Sequence, residues 1–252
     1  MLLRYQSLLR GVFCAVVALF FVILPAAAAD EAAPKDEVNL QKTIHDYLVN
    51  HPDRLPNVIG IVQDEIDSIS ALQTRNVVQE RKKDLFENPD DLVEGNPKGD
   101  VTLVEFFDYR CPYCKQVAPS LDALLKEDPK VRIVYKEWPI LGPASVFASR
   151  VALASKKQGK YPAFHHAMMA MKGDINDETI LKLAASVGLD IKRLQTDVSS
   201  PDVERVLKTN GDLADALKID GTPGFILGDS IIPGAVDLDA LRKNIAEQRK
   251  RG

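Results

Sequence analysis

The alternation of apolar and polar positions changes period several times along this chain, and each change predicts an element. Gly11 to Leu24 is an almost unbroken apolar run, followed by small residues from Pro25 to Ala29 and polar sequence from Asp30. Residues 38–86 then take a helical period. Val38, Leu40, Ile44, Tyr47 and Leu48 mark one amphipathic piece, which His51-Pro52 interrupts. In the next piece Leu55, Ile59, Val62, Ile66 and Ile69 recur at spacings of 4, 3, 4 and 3, a heptad-type seam that polar Gln73 and Asn76 continue. The apolar part of the seam is too short to specify a coiled coil. It fits a helix docked on its own domain, and equally an oligomerisation helix.

Residues 87–100 (ENPDDLVEGNPKGD) have a turn-and-linker composition and predict a domain boundary, with Leu92 and Val93 suited to a short edge strand. Val101 to Phe107 (VTLVEFF) has the length and apolar density of a buried strand, with one acid inside it. Lys115 to Lys126 predicts a helix with Val117, Leu121, Leu124 and Leu125 on its apolar side and a kink at Pro119. Val131 to Tyr135 predicts a second buried strand, which completes a βαβ unit. From Ala144 to about Leu217 the pattern is helical, cut at Gly159, Gly173, Gly188 and Pro201, and reads as a helical insertion in an α/β domain. Phe225–Leu227 and Ser230–Ile232 flank Gly228-Asp229 as a hairpin, and Asp237–Arg249 predicts a closing amphipathic helix.

Composition narrows the class. Of 252 residues, 46% are hydrophobic and 27% charged, which suits a globular protein with a substantial core. The formal charge is −4, and the sequence offers no basic face of the kind that nucleic-acid binding requires. Arg4 and Arg10 ahead of the apolar run, and the Ala-rich end behind it, give residues 1–29 the layout of a cleaved signal peptide. The competing reading is an uncleaved anchor, for which the run is short, since a span needs about 20 residues. Cleavage near Ala27–Asp30 takes both arginines away and moves the formal charge from −4 to −6. It also removes Cys14, leaving Cys111 and Cys114 to the exported chain.

Those two cysteines are the candidate chemistry. A bridge across two residues closes so small a loop that it constrains the unfolded chain little, which makes it a poor staple and a good reversible couple. In Cys111-Pro112-Tyr113-Cys114 the first cysteine falls at a helix N-terminus, where free N–H groups and the helix dipole favour a thiolate. The second, one turn on, is placed to resolve a mixed disulfide, and Pro112 suits the first helical turn. Two other readings remain. Structural zinc needs four ligands, and His45, His51, His165 and His166 are the only histidines available; a purely structural disulfide is the second. Thr222-Pro223, ahead of a short strand in Gly221-Thr222-Pro223-Gly224-Phe225, reads either as a cis peptide beside the cysteines or as an ordinary type II turn.

The stretches VEFFDYRCPYCK (104–115), YKEWPILGPAS (135–145) and GTPGF (221–225) resemble the DsbA-like branch of the thioredoxin superfamily, and the pattern with the extension is similar to its ScsC/Com1-type exported members. The resemblance covers residues 95–250 well and the extension loosely. It implies a thioredoxin fold with an inserted helical domain at about 144–217 in a domain spanning 87–252, an N-terminal helical extension at 30–86, and the periplasm of a Gram-negative bacterium. It puts the nucleophile on Cys111, the resolving thiol on Cys114, the cis proline on Pro223 and a buried acid on Glu105, able to relay the Cys114 proton. Glu105 also reads as a strand acid paired with Lys136. Tyr113 stands where strongly oxidising members have a His, and Thr222 where they have a Val. Both departures imply a less oxidising couple, tuned by Pro112 and Tyr113.

Three functions compete. The first is a disulfide isomerase or reductase acting on exported proteins, kept reduced by a membrane partner of DsbD type and oligomeric through residues 38–86. The second is a monomeric dithiol oxidase recharged by a partner of DsbB type. The third is a Cu(I)-handling dithiol protein. None calls for a cofactor.

Overall fold

The computed structural model describes residues 35–251. The expected signal peptide and its cleavage site lie outside the described residues. The described residues divide into two units, the first ending at Val58 and the second beginning at Ile59. In the first, helix α1 (Lys35–Asn50) ends at the His51-Pro52 break and a single 3-10 turn, Pro52–Arg54, follows. Leu40, Ile44 and Tyr47 are half-exposed there. Helix α2 (Leu55–Glu80) begins in this unit and continues into the second.

The second unit is built on a five-stranded sheet: β1 (Leu92–Gly95), β2 (Val101–Phe107), β3 (Val131–Glu137), β4 (Gly224–Leu227) and β5 (Ser230–Pro233), in the order β1-β3-β2-β4-β5. β2 and β3 are parallel, joined by helix α4 (Pro112–Glu127), and every other pairing is antiparallel. This is the thioredoxin-like arrangement the resemblance implied. Six of the seven β2 residues are buried, as befits a central strand covered on both faces. The two-residue loop of the β4–β5 hairpin is Gly228-Asp229, and Gly228 takes a left-handed φ of 62° that a side chain would resist.

Alternation sends successive side chains to opposite faces. Leu103, Phe107, Ile133 and Tyr135 share one core with α4, with α10 (Leu238–Arg251) and with the helical insertion. That insertion comprises α5 (Pro143–Ser155), α6 (Tyr161–Ala170), α7 (Asp177–Ser186), α8 (Ile191–Asp197) and α9 (Pro201–Ala216). Val104, Phe106, Val134 and Ile226 face the other way, against Leu213 of α9, Val78 of α2 and Leu85 of the short helix α3 (Lys82–Phe86).

Two expectations need correction. The boundary expected at residue 87 falls inside the second unit, because Thr74, Val78 and Leu85 are buried against it and the unit begins at Ile59. The turn from apolar to polar along the seam marks this docking: Gln73 accepts a hydrogen bond from Lys218 Nζ at 2.7 Å. Ile59, Val62, Ile66, Ile69 and Leu72, ahead of it, stay exposed. The Glu105–Lys136 ion pair is also not formed. Glu105 lies opposite Tyr135 in the β2–β3 register, so Lys136 points from the other face, where its buried ammonium meets Asp91 and the Asp84 carbonyl.

Candidate functional site

The β2–α4 junction places the cysteines. Cys111 is the N-cap of α4, with extended backbone (φ −70°, ψ 118°), and Pro112 occupies the first turn, where its missing N–H leaves nothing unpaired. The Cys111 sulfur does the work of a capping oxygen and accepts the Cys114 N–H at 3.4 Å. Cys114, one turn on, is fully buried, Cys111 is 3% exposed and Tyr113 projects into solvent. The Thr222-Pro223 peptide bond is cis. Antiparallel pairing of β4 with β2, in which Gly224 lies opposite Phe106, brings this loop to the end of β2 from which Cys111 departs. There the Cys111 thiol donates to the Thr222 carbonyl at 3.1 Å.

The two thiols are driven apart. The Cys111 thiol is pulled from an ordinary 9.0 down to about 6, chiefly by its hydrogen bond with the Cys114 side chain, with Thr222 and the N–H groups of Cys114 and Tyr113 adding to it against the effect of burial. Cys114 moves strongly upward, first because its proton is held in the bond to Cys111 and then by burial. Glu105 lies within β2 at 1% exposure, and its Oε1 has no hydrogen-bond partner. Burial, reinforced by the Cys111 charge, raises its carboxyl well above the ordinary range. The site thus offers a thiolate at a helix N-terminus, a protonated neighbouring thiol and a buried carboxyl electrostatically coupled to both.

Other residues hold this geometry and drew no attention in the sequence. Asp108 is fully buried, and its carbonyl accepts the Cys111 N–H at 3.0 Å. Its carboxylate takes the N–H groups of Arg110, Ile140 and Leu141 at 2.7, 2.9 and 2.9 Å. Lys115 reaches from α4 to the last carbonyls of α6, at 2.6 Å from Met168 O and 2.8 Å from Met171 O, where a cation suits the helix C-terminus. His165 and His166 diverge: the first is buried, while the second bonds Glu94 at 2.7 Å on the surface. An Asp next to a CxxC loop was the one readable sign of the Asp108 hook, since Asp favours turns that bond their own backbone.

A dithiol with one sulfur ionised and the other protonated is the working part of a thiol–disulfide oxidoreductase. The sequence profile of the DSBA-like thioredoxin domain matches residues 102–246, and the chain belongs to that family of thiol–disulfide oxidoreductases. Among solved structures it is similar to a thioredoxin-like oxidoreductase from Silicibacter pomeroyi, at 46% identity over 67% of this chain and 97% of the other, with a TM-score of 0.65. The catalytic domain of Proteus mirabilis ScsC gives 30% identity over 69% and 97%, with a TM-score of 0.63. A linker-deletion mutant of that ScsC aligns over 90% of this chain and 100% of its own, at 27% identity and a TM-score of 0.69. Curated relatives include a Na(+)/H(+) antiporter NhaA of Salinispora tropica, 29% identical over 157 residues; that match spans 61% of this chain and about a quarter (24%) of the antiporter.

Proposed function

We propose that this chain exchanges disulfides with exported proteins in the periplasm, working as an isomerase or reductase. The observation that carries the reading is the split between the two thiols at the N-terminus of α4. The Cys111 thiolate attacks a substrate disulfide, one S–S bond forms as another breaks, and the substrate's leaving sulfur departs as a thiolate. Cys114 then attacks the Cys111 sulfur of the mixed disulfide, releasing the reduced substrate and closing the Cys111–Cys114 bond. The ionised form of Glu105 takes the Cys114 proton in that step and returns it when the bond is reduced again. The electrons for that return come from a membrane dithiol partner of DsbD type. Thr222 and Pro223 line the approach of an extended substrate, and Pro112 and Tyr113 set the balance between redox states.

A second copy of the chain is proposed to cover the exposed seam of α2. Ile59, Ile66, Ile69 and Leu72 have apolar side chains 46–64% exposed, and such a row on one helix is a mark of association. Linked sites raise the effective concentration of thiol at one misfolded substrate. Reactivation of a scrambled-disulfide substrate tests both parts. Intact protein restores activity, Cys111→Ser does not, and an Ile59→Asp, Ile66→Asp double variant loses both its oligomeric mass and most of the reactivation. Rapid oxidation of a reduced substrate without reactivation points instead to a dithiol oxidase. Cu(I) binding without either activity points to a metal-handling dithiol.

A further inference from the structure

Glu137, at the end of β3, is a buried acid with three hydroxyl donors and no cation. It is 1% exposed. Its Oε1 accepts the hydroxyls of Tyr109 at 2.9 Å and Tyr161 at 2.8 Å, and its Oε2 accepts that of Ser149 at 2.6 Å. None of these partners is a cation, and an unpaired buried carboxylate is costly. Burial accordingly raises its pKa from 4.5 to about 8 in spite of the three donors. Nothing in the exchange chemistry touches it.

Its partners come from different places. Ser149 lies on α5 and Tyr161 on α6, so two of the three bonds knit the insertion to the sheet. Tyr109 belongs to the loop Asp108-Tyr109-Arg110 that delivers Cys111. Its ring is fully buried and packs edge-on to Phe107 and Phe164. Its hydroxyl also bonds His165 Nδ1 at 3.1 Å. The loop has no ladder or helix bonds of its own to hold it. Asp108 and Arg110 anchor it to the 138–142 segment, and Tyr109 anchors it to the core. The Cys111 N–H hangs on the carbonyl of Asp108, the residue before Tyr109. A shift of this loop therefore moves the Cys111 sulfur relative to the donors that hold it as a thiolate.

We propose that Glu137 is a positioning residue for Cys111, acting through the Tyr109 hydroxyl. The inference deepens the exchange reading and rests on it for its relevance to catalysis, but its test reads the thiol itself. Tyr161 supplies the control, since it donates to the same oxygen of Glu137 from outside the loop.

The experiment is the pH dependence of Cys111 alkylation in the reduced, full-length chain, beside a urea melt of each variant. Tyr109→Phe and Tyr161→Phe each remove one buried hydroxyl and lower stability to a similar degree. Only Tyr109→Phe raises the Cys111 midpoint, by about one pH unit, which is about tenfold less thiolate below the midpoint. Tyr161→Phe changes the thiolate fraction by less than about twofold, because its loss leaves the loop's own anchor in place. Equal movement in both variants, or in neither, overturns the proposal. Should Tyr109→Phe fail to fold, Glu137→Asp carries the test: it keeps the carboxyl and withdraws it by one methylene, so the midpoint rises again, and an unchanged midpoint overturns the proposal. A chain whose Cys111 titrates in this way but which exchanges no disulfide would defeat the functional reading and leave the positioning intact.

Discussion

Glu105 and Glu137 stand on neighbouring strands of one sheet, each 1% exposed and each held toward its protonated form by burial. Their surroundings differ. Glu137 has three hydroxyl donors from the β2–α4 loop and the insertion, whereas Glu105 has an orphaned Oε1 among apolar neighbours. A buried carboxyl with a full set of donors is committed to structure, because its removal strands every donor it served. A buried carboxyl left short of partners weakens the fold and keeps its proton mobile, a combination retained where proton transfer needs it. The same residue type thus serves the fold at the end of β3 and the chemistry in the middle of β2.

The largest effect that would break this comparison is on stability. Glu137→Leu strands the buried hydroxyls of Tyr161 and Ser149, takes one of two partners from Tyr109, and should cost about 3–5 kcal/mol in a urea melt; a loss under about 1 kcal/mol would mean the network is not formed. Next comes rate. Glu105→Gln should slow resolution of the mixed disulfide by roughly 10²-fold, the usual worth of a positioned acid–base group, with little change in the Cys111 attack step. A smaller effect has the opposite sign to the first: Glu105→Met, which fills the site with an apolar side chain, should stabilise the fold by about 1–2 kcal/mol. If both substitutions destabilise, the two carboxyls do not differ as described.

The last test is the pH dependence. Because the folded protein raises the Glu137 pKa from 4.5 to about 8, the folded state holds that proton where the unfolded chain has lost it. Its contribution to stability is fully present below 4.5, falls as pH rises, and is gone above about 8. Glu137→Gln removes this slope, so wild type should lose stability relative to the variant across that window, by at most about 1.4 kcal/mol per pH unit. Cys111 acts in the opposite direction. Its lowered pKa stabilises the reduced fold at alkaline pH, and the gain is lost as pH falls through about 6.

Much of this architecture was legible because its signals are local. The period-2 and 3.6-residue patterns mark β2, β3, α4 and the insertion, and the hairpin announces itself at Gly228-Asp229. The CxxC loop and Thr222-Pro223 each sit within a handful of residues, and the fold needed only to bring the two together through the β2–β4 pairing. Glu137, Tyr109 and His165 could not be read this way. Their bonds span 28 and 56 residues of sequence, and a Glu at the end of a strand looks like a solvated terminus until the insertion covers it. The mistaken Glu105–Lys136 pairing has a similar origin, since proximity along neighbouring strands says nothing of which face each side chain takes until the register is known. The boundary at residue 87 was misplaced because a Pro- and Gly-rich segment was taken to end a domain, when it carries β1 and links α3 to β2 within one.

The most direct test of the central claim is trapping of the mixed disulfide. With Cys114→Ser the Cys111 thiolate can attack a substrate disulfide but cannot be released by its neighbour, so a covalent adduct with exported proteins should accumulate and should dissolve on reduction. With Cys111→Ser no adduct should form, because Cys114 is buried and protonated. Adducts through Cys114 instead, or in neither variant, would contradict the account of Cys111 as the attacking sulfur.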